Sequence, residues 1–102
     1  MVEVIFIVIY IIISMDIGIK RELLLSKNKR VVLLALQKEP MLMQELVKKT
    51  GIRIQNLSRT LQELRKMSTV SQQNPSVRKG KIFVLSDKGK QYIRELKEGG
   101  ML

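Results

Sequence analysis

The segment that decides the fold is Met43–Met67, which reads MQELVKKTGIRIQNLSRTLQELRKM. Apolar side chains recur in its second half at steps of three, four, three and three residues, at Ile54, Leu57, Leu61, Leu64 and Met67. Such a stripe predicts an amphipathic helix over 54–67. Met43–Thr50 predicts a shorter helix, and Gly51 can adopt the positive φ of a sharp turn between the two. We therefore expect a pair of helices joined by a tight turn, with Ile52 filling the gap between them.

A further helix is predicted before this pair. Ser26 can cap a helix through Lys38, and Pro40 ends it. Its apolar face is predicted to consist of Val31, Val32, Leu34, Ala35 and Leu36.

A hairpin and a last helix are predicted after the pair. Thr69–Gln72 and Lys81–Leu85 are short β-prone runs, and Gln73–Gly80 between them carries turn residues. Ser86 can cap a final helix over 87–97. The predicted fold is mainly α with a small β-hairpin wing, that is, a winged helix-turn-helix.

The polar face of the 54–67 helix carries side chains suited to reading DNA. Gln and Asn can bond adenine in a bidentate manner, and Arg can bond guanine. The predicted base contacts are Gln55, Asn56 and Arg59. The predicted contacts to the DNA backbone are Arg53, Ser58, Thr60, Arg65 and Lys66. A basic wing tip, with Arg78, Lys79 and Lys81, is predicted to lie on phosphates or in a minor groove.

The charge distribution supports a polyanionic partner. The 102 residues include 19 Lys or Arg and 9 Asp or Glu, a formal net charge of +10. Between Gly51 and Ile82 there are seven basic residues and one acid, Glu63. If the basic residues served only solubility, they would be distributed more evenly along the chain. Those on the wing could also serve to deter aggregation at a sheet edge.

The residue types that are missing exclude several classes of site. The chain has no Cys and no His, so it has neither a thiolate nucleophile nor an imidazole base. We expect no enzyme activity, no metal and no cofactor. We also expect a cytoplasmic protein.

Several short motifs resemble those of winged-helix repressors of the MarR and ArsR type, including small archaeal-like winged-helix proteins. The motifs are Gln44-Glu45-Leu46, Lys49-Thr50-Gly51-Ile52, Leu57-Ser58-Arg59-Thr60-Leu61 with Leu64, and Phe83-Val84-Leu85-Ser86-Asp87-Lys88-Gly89. The chain departs from these families at Ser68, where Gly is common, and in lacking the metal ligands of ArsR-type sensors. It also lacks the long flanking helices of MarR-type proteins, so their dimer interface cannot be carried over.

The chain begins with an apolar segment whose role the sequence leaves open. Val4–Ile13 reads VIFIVIYIII. As a helix it would span about 15 Å, against roughly 30 Å of bilayer hydrocarbon. It could be a dimerisation element, a weak membrane anchor, or sequence upstream of a true start at Met15. We therefore divide the chain into this segment (1–19) and a DNA-binding domain (20–98).

These observations favour a sequence-specific regulator that binds double-stranded DNA as a homodimer. The alternative from another class is a winged-helix module that binds protein, at a membrane or elsewhere. A nonspecific architectural DNA-binding protein would share the electrostatics and differ in its specificity ratio. No feature of the sequence indicates an effector ligand.

Overall fold

A computed structural model describes residues 3–6, 18–19 and 21–100, of which 3–6, 18–19 and 21–25 are helical. The elements that follow are α1 (Lys27–Leu36), β1 (Met41–Leu42), α2 (Met43–Thr50), α3 (Ile54–Lys66), β2 (Val70–Gln72), β3 (Ile82–Leu85) and α4 (Asp87–Glu98). The four helices and the hairpin confirm the predicted winged helix-turn-helix. Most of the apolar run at 4–13, and with it most of the predicted N-terminal segment, lies outside the described residues.

Helix α1 begins at its predicted cap. The Ser26 hydroxyl oxygen accepts a hydrogen bond from the Lys29 amide at 3.3 Å. The helix buries Val32, Leu33, Ala35 and Leu36. The prediction that Leu34 faces inward was wrong: it is exposed, because Val32, Leu33 and Leu36 define the buried side and Leu34 is turned away from them.

The turn between α2 and α3 has the predicted geometry. Gly51 has a φ of 72°, and its amide donates to the Val47 carbonyl at 2.9 Å. The Thr50 hydroxyl donates to the Leu46 carbonyl at 2.6 Å and accepts from the Ile52 amide at 3.2 Å. Ile52 packs against the core. These bonds fix the direction in which α3 leaves the turn.

The sheet has three antiparallel strands in the order β1-β3-β2. Strand β1 was not predicted, because two residues are too few to show an alternating pattern. Met41 pairs with Phe83, and Val70 pairs with Leu85. The Asn74 side chain closes the wing loop by donating to the Gly80 carbonyl and accepting from the Ile82 amide, each at 2.9 Å.

The end of α3 is fastened to the start of α4. Ser68 has a φ of 61°, the left-handed conformation that explains why glycine is common at this position. The Ser86 hydroxyl donates to the Ser68 carbonyl at 2.6 Å and caps α4 by accepting from the Gly89 amide at 3.0 Å. A Cβ at Gly89 would collide with the carbonyl oxygen of Thr69, so only glycine lets α4 approach β2 this closely.

One core holds these elements together. Side chains from all four helices and all three strands contribute to it, including Leu33, Met41, Leu46, Leu61, Val70, Phe83 and Ile93. Leu23, which precedes α1, is also fully buried. No helix within the described residues is long and apolar enough to cross a membrane.

Candidate nucleic-acid interface

One face of α3 is polar and points away from the core. Leu57, Leu61 and Leu64 form the buried face. On the opposite side, at spacings of four, three and four residues, lie Gln55, Arg59, Gln62 and Lys66, all exposed. We call these four residues the outer row. A helix presents such a row as one continuous stripe, which is the surface that enters a major groove in helix-turn-helix proteins.

The predicted base-contact residues do not all lie on the same face of the helix. Gln55 and Arg59 belong to the outer row, whereas Asn56 lies beside it and is half-buried. The Asn56 side-chain oxygen accepts a hydrogen bond from Nη2 of Arg59 at 3.0 Å. The structure therefore places Asn56 where it orients the Arg59 guanidinium. Gln62 was omitted from the predicted contacts, although its spacing of seven residues from Gln55 indicates the same face.

The predicted backbone-contact residues also differ in their exposure. Arg53, Arg65 and Lys66 are exposed and Ser58 is half-buried at the edge of the outer face. Thr60 is only 6% exposed, and its hydroxyl donates to the Asn56 carbonyl at 2.8 Å. Its predicted contact with the DNA backbone is therefore wrong, because the spacing from Leu57 and Leu64 turns it toward the core.

The wing lies alongside α3. Lys81 lines a small hollow of about 60 Å³ together with Ser58, Gln62 and Arg65. Arg78 and Lys79 are exposed in the wing loop. We call Arg78, Lys79 and Lys81 the wing cluster. Its base is thus continuous with the outer face of α3, and the two carry positive charge on one surface.

Ile54 departs from its predicted place in the core. It is 53% exposed, whereas the other stripe residues Leu57, Leu61 and Leu64 are almost fully buried. It is the first residue of α3, and the start of α2 and the edge of the wing lie beside it.

Glu63, the single acidic residue in this region, forms an ion pair with Lys29 of α1. Glu63 accepts from Nζ of Lys29 at 3.0 Å, and Glu22 accepts from the same Nζ at 2.7 Å. Burial on its own would lower the pKa of Lys29, but the hydrogen bonds and charges of the two carboxylates outweigh it and raise the pKa. Lys29 therefore stays charged and ties α3 to α1. The seven basic residues between Gly51 and Ile82 are all exposed.

Within the described part of the chain, no group of three or more metal-ligating side chains is close enough to hold a metal ion. No protein-family model matches the sequence, and no curated protein sequence matches it.

Solved structures share the fold. Bordetella bronchiseptica BpsR, whose DNA binding is regulated by 6-hydroxynicotinic acid, aligns with a TM-score of 0.66 and 20% identity over 72% of this chain and 57% of its own. A MarR family transcriptional regulator from Silicibacter pomeroyi aligns at 0.65 and 17% identity, over 93% of this chain and 67% of its own. A MarR family regulator from Neisseria meningitidis aligns at 0.65 and 20% identity, over 96% and 70%.

These alignments confirm the winged-helix fold and its resemblance to MarR-type regulators. Because the identities are low, the likeness is one of fold. The chain spans little more than half the length of BpsR.

Proposed function

We propose that this chain is a sequence-specific regulator of transcription that binds double-stranded DNA. The observation that carries the proposal is the continuity of the outer row with the wing cluster on one basic face. A helix with its side chains is about 10–12 Å across, and the major groove is about 12 Å wide. Helix α3 therefore has the dimensions and the side chains of a recognition helix. The similarity in fold to MarR family transcriptional regulators supports the same function.

Base selection is assigned to Gln55, Arg59 and Gln62 of the outer row. Asn56 holds the Arg59 guanidinium from the side, and an oriented guanidinium can bond both acceptors of a guanine. Gln55 and Gln62 can each bond the donor and acceptor of an adenine. In this proposal Asn56 acts through Arg59 rather than as a direct base contact.

Affinity is assigned to Lys66, at the end of the outer row, and to polar and basic residues around the row. Lys66, Arg53, Ser58 and Arg65 would bond phosphates beside the major groove. The wing cluster would reach the backbone or an adjacent minor groove. Because each lost phosphate contact lowers the slope of log affinity against log salt by about 0.9, neutralising the whole cluster should flatten the salt dependence. A slope equal to that of the unmodified protein would mean that the wing does not touch DNA.

We further propose that the protein acts as a homodimer in the cytoplasm, held through its N-terminal segment. Val4, Ile5 and Phe6 in this segment, and Leu25 after it, are large apolar residues that are exposed in a single chain. Burying such side chains in an interface is energetically favourable. A two-fold dimer could also read two half-sites about 10–10.5 base pairs apart. The matching test compares the full chain with a chain that starts at Met15, by light scattering and by binding to a symmetric duplex.

The same exposed residues favour the second candidate, a winged-helix module that binds protein or a membrane surface. In that case the N-terminal segment would carry the interaction, and the basic face would have no duplex partner. Binding of the full chain to lipid vesicles, together with weak binding to duplex DNA, would support this candidate.

The direct experiment is selection of bound sequences from a random duplex pool. We expect an enriched motif with two-fold symmetry. The double variant R59A/Q62A should enrich nothing comparable. The matched control is Lys90→Gln, which removes an exposed charge on α4, in a hollow shared with Gln37 at the end of α1. Enrichment of no motif by the unmodified protein would contradict sequence-specific binding.

A further inference from the structure

Ile54 is an apolar residue at the edge of the polar and basic surface of α3. Its side chain is 53% exposed. Arg53 and Gln55 are its neighbours in the chain, and both are exposed. Leu57, one turn further along the helix, is by contrast fully buried.

The space beside Ile54 is a groove of about 290 Å³. Its walls are Leu42 at the end of β1, Met43 and Gln44 at the start of α2, and Lys79, Gly80 and Lys81 of the wing. The groove therefore has an apolar part, formed by Leu42, Met43 and Ile54 beside the polar Gln44, and a wing side that carries the two positive charges of Lys79 and Lys81. An occupant that fits both features has a small apolar group next to a negatively charged backbone.

We infer that Ile54 reads thymine by contacting its C5 methyl group in the major groove. The inference rests on the proposed function and adds a base-specific contact to it. The thymine methyl is the apolar group that a base edge presents in the major groove, and the phosphates of the same strand supply the negative charge that Lys79 and Lys81 require. Gln55 and Arg59 read polar edges, so Ile54 complements them at a neighbouring base pair.

The test replaces each thymine of the selected duplex in turn with deoxyuridine, which lacks only the methyl group. We expect one replacement in each half-site to weaken binding of the unmodified protein about three- to fivefold, the value of one buried methyl group. In Ile54→Ala the same replacement should change binding by less than about 1.5-fold. In Leu34→Ala, which truncates another exposed aliphatic residue, on α1, the three- to fivefold loss should remain.

Three results would overturn the inference: a selected site without thymine in its half-sites, no replacement that weakens binding, or an undiminished methyl effect in Ile54→Ala. Since the deoxyuridine scan uses the unmodified protein, poor folding of a variant would not mask the first two. If the protein selects no duplex sequence at all, the proposed function fails and the inference falls with it. If it selects a site with no methyl effect, only the inference fails. Binding of an acidic peptide in the groove instead of duplex DNA would also overturn it.

Discussion

Replacing Gly89 by alanine should destabilise the protein strongly, because the added methyl group has no room. The new Cβ would collide with the Thr69 carbonyl oxygen and would lie 3.1 Å from the carbonyl carbon and 3.3 Å from Cδ2 of Leu85. The carbonyl cannot simply move, because the Ser86 amide donates to it at 3.0 Å. Helix α4 would have to shift away from β2.

The cost can be assembled from two effects. Overpacking typically costs about 1–3 kcal/mol, and the weakened hydrogen bond adds about 0.5–1.5 kcal/mol. We therefore expect the free energy of unfolding to fall by about 1.5–4.5 kcal/mol, which for a domain of this size lowers the melting temperature by at least about 6 °C.

Urea denaturation followed by circular dichroism measures this change, provided that the m-value stays constant. The matched control is Gly18→Ala. A Cβ there would meet nothing within 4 Å among the described residues, so the control should leave stability unchanged or raise it by a few tenths of a kcal/mol. If Gly89→Ala were as stable as its parent within about 0.5 kcal/mol, the close approach of α4 to β2 would be wrong.

Three further predictions address the same elements. Ser68→Gly should raise the free energy of unfolding by about 0.5–1 kcal/mol, because glycine adopts the left-handed conformation without the cost that serine bears there; a loss of stability would contradict this account. Lys29→Met should change the pH dependence of unfolding. Because the pKa of Lys29 is raised in the folded protein, its ion pairs stabilise the protein below the ordinary value of 10.5 and are lost as the pH rises above it. The parent should therefore lose stability relative to the variant as the pH rises through this range, and parallel curves would refute the assignment. Arg59→Ala should weaken binding to the selected duplex by about 1–3 kcal/mol and relax the preference at one base pair of each half-site, whereas an equal loss on shuffled duplex would make Arg59 a phosphate contact.

Local signals were enough to predict most of the fold. Ser26 and Ser86 cap their helices as expected, and Gly51 has the positive φ that its position between two helices implied. These features depend on neighbours in the chain, so one sequence can show them. Strand β1 depends on pairing with residues about 40 positions later, and two residues carry no pattern of their own.

The candidate site was less predictable, because its details depend on what packs behind each residue. The apolar spacing placed Ile54 in the core, but the described residues leave it 53% exposed at the start of α3. Thr60 was predicted to contact the DNA backbone, but the helix turns its side chain toward the core. Gln62 was not among the predicted contacts, but the helix places it on the exposed outer row. The ion pair of Lys29 with Glu63 joins two helices and has no signature in local sequence.

The central claim is that the outer row reads base sequence in duplex DNA. The most direct measurement is the ratio of affinities for the selected duplex and for a shuffled duplex of the same composition, by fluorescence anisotropy at one fixed salt concentration. The account predicts a ratio of at least about 10³ for the unmodified protein and for Lys90→Gln. It predicts that R59A/Q62A loses most of this ratio through weaker binding to the selected duplex. A ratio near one for the unmodified protein, or one that R59A/Q62A leaves intact, would contradict it.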